Sequence, residues 1–159
     1  MRMRKMLVFS NLIGVLTVAV ALLAQTEGPW FGTWKLNVAK STFRPGPPPV
    51  AETRIYKAQP AGVKTTVTTV WADRMSTTVE YPANYDGKDY PVSGSREVDA
   101  VALSRVDDHT SAATLKHAGK EIGVARRVVS PDGKIMTISY KGINTRGDQV
   151  DNVAVYDKQ

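Results

Sequence analysis

Gly62-Val63-Lys64-Thr65-Thr66-Val67-Thr68-Thr69-Val70-Trp71 alternates with period two. Val63, Thr65, Val67, Thr69 and Trp71 fall on one face, and Lys64, Thr66, Thr68 and Val70 on the other. Its Val and Thr side chains are stiff at χ1 and suit a pleated, half-buried surface better than a helix. The stretch therefore reads as a strand. Ala72-Asp73-Arg74 turns the chain into a second run, Met75 to Tyr81, and the two form a hairpin.

Working outward, the same rhythm fills the chain. Upstream, Phe31 to Val38 puts Trp34, Leu36 and Val38 on one face, and Glu52 to Ala58 is a further strand. Between them lies Arg44-Pro45-Gly46-Pro47-Pro48-Pro49, a stiff extended loop, because proline donates no ladder hydrogen bond. Downstream, Tyr85-Asp86-Gly87-Lys88 reads as a hairpin turn leading to Tyr90 and Val92, and Ser93-Gly94-Ser95 as a break. Runs follow at Val98 to Val106, Ser111 to His117, Glu121 to Val129, Ile135 to Lys141 and Gln149 to Asp157. No amphipathic helix interrupts them.

This spacing predicts an all-β domain, a single antiparallel up-and-down β-barrel of about eight to ten strands. Closure removes the exposed edges that a flat sheet would leave. A two-sheet sandwich is the rival, disfavoured because the connections read as consecutive hairpins. An outer-membrane barrel needs longer strands with a lipid-facing apolar band, whereas several runs here carry Lys, Arg or Thr on both faces.

Composition narrows the function classes. The 159 residues are 42% hydrophobic and 23% charged, which fits one folded domain rather than a disordered chain. The absence of cysteine excludes a disulfide scaffold, a thiol nucleophile and Cys-ligated metals. Arg2, Arg4 and Lys5 precede an apolar run from about Leu12 to Leu23 and a small-residue exit at Ala19, Ala21 and Ala24. That pattern predicts a signal peptide over 1–24, cleaved after Ala24 or alternatively Ala21, and a barrel domain over 25–159. The expected location is periplasmic or secreted. Without 1–24 the formal charge of +6 falls to +3, and the remaining basic residues are interspersed with acids. A nucleic-acid partner would need a basic stripe, so none is expected, nor a membrane span after cleavage.

Phe31-Gly32-Thr33-Trp34-Lys35-Leu36-Asn37 resembles the opening strand of the calycin barrels, the lipocalins and fatty-acid-binding proteins. The closing Val153 to Gln159 is loosely similar to the last strand of the fatty-acid-binding branch, and the chain looks like exported bacterial lipocalin-like proteins. The resemblance implies a structural role for Gly32 and for Trp34, which would plug the closed end of the barrel under an Arg from a late strand, Arg126 or Arg127. Two departures matter. A Pro-rich loop stands where fatty-acid-binding proteins carry a helical lid, and Ala154-Val155-Tyr156 lacks the Arg of their Arg-x-Tyr carboxylate clamp.

Trp71, Tyr81, Tyr90, Tyr140 and Tyr156 are the candidate ligand contacts. They either line an apolar pocket with a few hydroxyls or simply fill the barrel. Arg126 alternates with Ile122, Val124 and Val128, a spacing that turns it inward. There it needs an anionic partner: Glu80, Glu97, Asp99 or a ligand carboxylate. His109 and His117 read as surface groups, and no nucleophile elbow, nucleotide-binding glycine pattern or metal-ligand spacing is present. No catalytic residue, cofactor or metal is therefore expected. The reading is an exported protein that holds a small hydrophobic or amphipathic molecule. The alternatives are a small barrel enzyme (cyclase, isomerase or hydrolase) and an envelope protein-interaction module. An enzyme predicts an inward polar cluster with shifted pKa values, a carrier a mostly apolar cavity, and an interaction module a filled barrel with an exposed apolar patch.

Overall fold

Val63, Thr65, Val67 and Thr69 are all buried on the inner face of one strand, as their alternation requires. The computed structural model describes residues 28–159, so the expected signal peptide and its cleavage site lie outside the described residues. Ten strands follow one another: β1 Gly32–Leu36, β2 Ala51–Gln59, β3 Gly62–Val70, β4 Ser76–Asn84, β5 Asp86–Pro91, β6 Ala100–Arg105, β7 Thr110–His117, β8 Lys120–Val129, β9 Ile135–Ile143 and β10 Gln149–Lys158. A single 3₁₀ turn, Val38–Lys40, follows β1. The sheet order is β4-β3-β2-β1-β10-β9-β8-β7-β6-β5, every pair antiparallel. This is the expected up-and-down barrel, nearly closed.

Closure comes from one bridge. Glu80 and Ser93 exchange two backbone hydrogen bonds, of 3.0 and 2.9 Å, joining β4 to the segment after β5. Gly94 makes that approach feasible. Its φ is +80°, and a Cβ there would run into the Thr78 carbonyl. An open cleft of about 420 Å³ lies along this seam, lined in part by Lys64, Glu80, Pro82, Pro91 and Val92.

The N-terminal side of the core is aromatic. Trp30 and Trp34 are buried together, and the Trp34 indole N–H donates to the Trp30 carbonyl at 2.8 Å. Tyr56, Val129, Met136 and Tyr156 complete this packing. Beyond β1 the chain keeps to the same lane: Thr42 pairs with Val153 of β10, and Asp151 donates its amide to the Arg44 carbonyl at 2.8 Å. The Pro-rich loop then leads into β2, where Val50 bonds to Val70 at 2.9 Å.

Two details differ from the sequence expectation. Val38 lies in the 3₁₀ turn, so the first strand ends at Leu36. Asp86-Gly87-Lys88 is a bulge within β5 rather than a hairpin turn. Gly87 has φ +74°, and the β5–β6 register shifts between Asp86 and Asp89. An Asp-Gly pair supplies a positive φ for either geometry, so the dipeptide alone does not choose between them.

Candidate functional site

Within β2, Glu52, Arg54 and Tyr56 share the inner face, where an alternating strand of a small barrel ordinarily places apolar groups. The register holds them against defined neighbours: Arg54 stands opposite Trp34 on β1 and Val67 on β3, and Tyr56 opposite Thr65, which in turn opposes Tyr81 on β4. Glu52 is fully engaged. It accepts from Arg54 Nε at 2.7 Å, from the Tyr156 hydroxyl at 2.7 Å and from the Thr69 hydroxyl at 3.0 Å. Arg54 Nε also donates to the Tyr156 oxygen at 3.0 Å, and its guanidinium lies 5.2 Å from the Tyr156 ring centroid. Burial pushes the Glu52 carboxyl up, but Arg54 and the hydrogen bonds from Tyr156, Arg54 and Thr69 outweigh it. They leave its pKa below the usual value. The Tyr156 phenol is driven the other way, by burial and by the adjacent carboxylate, and stays protonated.

A second cluster centres on Arg127 of β8, which is only 8% exposed. Its Nε donates to Ser111 Oγ at 3.0 Å and its Nη2 to the Tyr85 hydroxyl at 2.6 Å. The guanidinium stacks 4.5 Å from the Tyr56 centroid and 5.5 Å from that of Trp30. Arg105 lies over the far edges of the same group, 5.3 Å from Trp30 and 5.2 Å from Tyr85. Tyr56 joins the two clusters. Burial alone would raise its phenol, yet Arg54 and Arg127 together hold it below the ordinary value. Tyr81 next to it is raised, first by burial and then by Tyr56.

Beside Arg127 and Ser111 the inner face of β7, β8 and β9 continues through small and aliphatic residues. Register places Ala125 and Gly123 of β8 with Ala113 and Leu115 of β7, and Ile138 of β9 beside both Arg127 and Ala154 of β10. Trp30 Nε1 is buried in the interior with no hydrogen-bond partner among the described residues, and the buried Thr65 hydroxyl lies beside that of Tyr81.

The residues singled out from sequence divide. Tyr156 and Tyr81 belong to the interior cluster, Trp34 is fully buried on β1, and Gly32 begins that strand with φ +119°. Tyr140 is half-buried on the inner face of β9, its hydroxyl near the Ile122 carbonyl at 3.5 Å and its ring against Gly123 and Gly142. Tyr90 is half-buried on β5 opposite Val101 and donates to Asp86 at 2.9 Å, away from the arginines. Trp71 lies beyond the end of β3 and is 40% exposed, bonded to Thr77 at 3.3 Å; it belongs to the rim. Arg126 does not point inward. It is exposed together with Val124 and Val128, and Gly123, Ala125, Arg127 and Val129 form the inner face of β8. The cation above Trp34 is Lys158, at 5.3 Å, rather than a late-strand arginine.

Glu52, Arg54, Tyr56, Tyr85 and Ser111 were not singled out as site residues by sequence. The available signal was the Glu-x-Arg-x-Tyr alternation of β2 and the Arg126-Arg127 pair, which in any strand sends one arginine to each face. Among the described residues no group of His, Asp or Glu could hold a metal ion, and no helix is long and apolar enough to cross a membrane. No protein-family model, curated protein or solved structure matches the chain.

Proposed function

We propose that this chain is an exported binding protein that carries a small hydrophobic or amphipathic molecule inside its barrel. Export rests on the N-terminal pattern of basic residues, apolar run and small-residue exit. The observation that carries the binding reading is the asymmetry of the interior. Gly123, Ala125, Ala113 and Ala154 lie on the same inner face of the barrel as a cluster of arginine and tyrosine side chains. Apolar walls with a few convergent polar groups suit a small amphipathic ligand. The ten-strand order is compatible with a calycin-like barrel, which supports the reading by analogy of fold.

Trp30 and Trp34 are interior reporters. In a W71F background, titration with single-chain amphiphiles should change their emission saturably. A flat response to alcohols, acids and aromatics alike would refute the binding reading.

Tyr56 favours a second reading, a small barrel enzyme. An inward polar cluster with a phenol of lowered pKa suits general acid–base chemistry. Against it, the one carboxylate of the cluster is consumed by Arg54, Tyr156 and Thr69. The readings separate on the bound molecule. A carrier returns it unchanged after incubation, whereas an enzyme alters it and loses that activity in Y56F.

A further inference from the structure

The inner-face row Glu52, Thr69 and Thr77 continues one step beyond the ladder as Val50, Trp71 and Met75. The Val50 amide donates to the Val70 carbonyl and the Trp71 amide to the Met75 carbonyl, both at 2.9 Å, so backbone bonds hold the three together at the rim. They are 61%, 40% and 63% exposed, and Met75 and Val50 are the two most exposed large hydrophobic residues among those described. Arg44 to Pro48, exposed throughout, leads up to Val50. Single apolar side chains scattered over a surface need no explanation, but a cross-strand row that ends on an indole does.

The two ends of the barrel differ in charge. The loops after β1, β3, β5, β7 and β9, which share the end with this row, carry five Lys or Arg against four acids. Those after β2, β4, β6 and β8 carry one against three. At the rim end Arg146 has Asp148 at 3.3 Å, but Lys40, Arg44, Arg74 and Arg96 enter no ion pair among the described residues. Asp73, the acid of the β3–β4 turn, is occupied by the Met75 amide at 2.9 Å. Arg74 holds that turn at φ +65°, left-handed backbone that glycine adopts at less cost. Exposed arginines on the turn and on the adjoining Pro-rich loop thus accompany three exposed apolar side chains.

We propose that this rim docks on an anionic bilayer surface, with Trp71, Met75 and Val50 in the interfacial layer and Arg74 and Arg44 against lipid phosphates. Three side chains on a hairpin tip and a loop fall far short of the roughly 20–30 residues a side of a stable protein interface. A lipid surface needs no such area. An indole sits at headgroup level, apolar neighbours enter the acyl boundary, and each arginine beside an anionic leaflet strengthens binding about fivefold. The opposite end, with Asp107, Asp108 and Asp132 in its loops, is repelled by the same surface and faces away from it. This docking stands apart from whatever the interior binds.

The test is flotation of the exported protein with vesicles of mixed phosphatidylcholine and phosphatidylglycerol, against vesicles of phosphatidylcholine alone. The wild type should bind the anionic vesicles about 25-fold more tightly, the product of two arginines, and added salt should erase most of the difference. W71S/M75S should weaken binding to both compositions by about tenfold or more. R44Q/R74Q should lose the preference for anionic vesicles and keep neutral-vesicle binding within about twofold. R74G should bind anionic vesicles about fivefold more weakly although it relaxes the turn, an opposition that a purely structural role would not produce. V106S, at an exposed valine of the opposite end, should match the wild type. All these positions are exposed, so urea midpoints should stay near that of the wild type. Equal binding to the two compositions, no vesicle binding at all, or undiminished binding in W71S/M75S would overturn the proposal. If vesicles are ignored and sedimentation instead shows an oligomer that W71S/M75S returns to the monomer, the rim is a contact between protein copies and the lipid proposal fails.

Discussion

Replacing Glu52 with glutamine removes one negative charge from the interior and leaves Arg54 without its counter-ion. Three donors converge on that carboxylate within 3.0 Å: Arg54, Tyr156 and Thr69. Breaking one side of a buried pair costs about 3–5 kcal/mol, chiefly because the surviving charge stays desolvated. The side chains of Glu52 and Arg54 keep 12% and 22% of their surface exposed, so water relieves part of that cost. The lower figure applies, about 3 kcal/mol, or roughly 10 °C in Tm for a domain of this size. Urea unfolding should show a lower midpoint with an unchanged slope. The double change E52L/R54M removes both charges and should recover to within about 1 kcal/mol of wild type, since apolar side chains of similar volume replace buried pairs at little cost. The pH dependence has a definite sign. The folded pKa of Glu52 is lowered, so its stabilisation is complete above the unfolded value and is lost as pH falls through the folded one. The gap between wild type and E52Q should therefore narrow below about pH 4. An E52Q variant within 0.5 kcal/mol of wild type, an error margin typical of a surface site, would refute the pairing argument.

Other consequences follow from the same geometry. One tyrosine of the six should ionise below its ordinary range in a 295 nm titration, vanish in Y56F and move up in R127M. Its lowered pKa adds stability only as pH rises through the folded value, so Y56F should show less gain between neutral and alkaline pH. W34A empties the buried indole site and its bond to Trp30 and should cost about 3–5 kcal/mol in urea, against under about 1 kcal/mol for W71A on the rim. G123A would place a methyl 2.5 Å from the Tyr140 hydroxyl and 2.7 Å from the Lys141 carbonyl, and should cost about 1–3 kcal/mol.

The fold was legible because β3 states it twice. Its inner residues are apolar or small β-branched, its outer ones polar except Val70, and the turn that follows is short. The site was not, because a rule that sends apolar residues inward fails where the interior is polar. On β8, Ile122, Val124 and Val128 outrank Gly123, Ala125 and Arg127 in hydrophobicity, so the pattern selects the wrong face by one residue. The inner face instead suits its surroundings: Tyr56, Tyr85 and Trp30 already fill the space around Arg127, and small side chains fit beside them. On β2 the polar alternation Glu52, Arg54, Tyr56 reads as a solvent face until Tyr156 and Thr69, each more than 15 residues away in sequence, bring their hydroxyls to it. Such pairing is set by the order of the strands around the barrel, which no local pattern records.

Native mass spectrometry of the protein purified without detergent from an exporting host addresses the central claim most directly. The account predicts the mass of residues 25–159 plus a reproducible small adduct, recovered by organic extraction as a hydrophobic or amphipathic molecule. A bare polypeptide mass in repeated preparations, with no mass gained on adding single-chain alcohols, acids or aromatics, would contradict it.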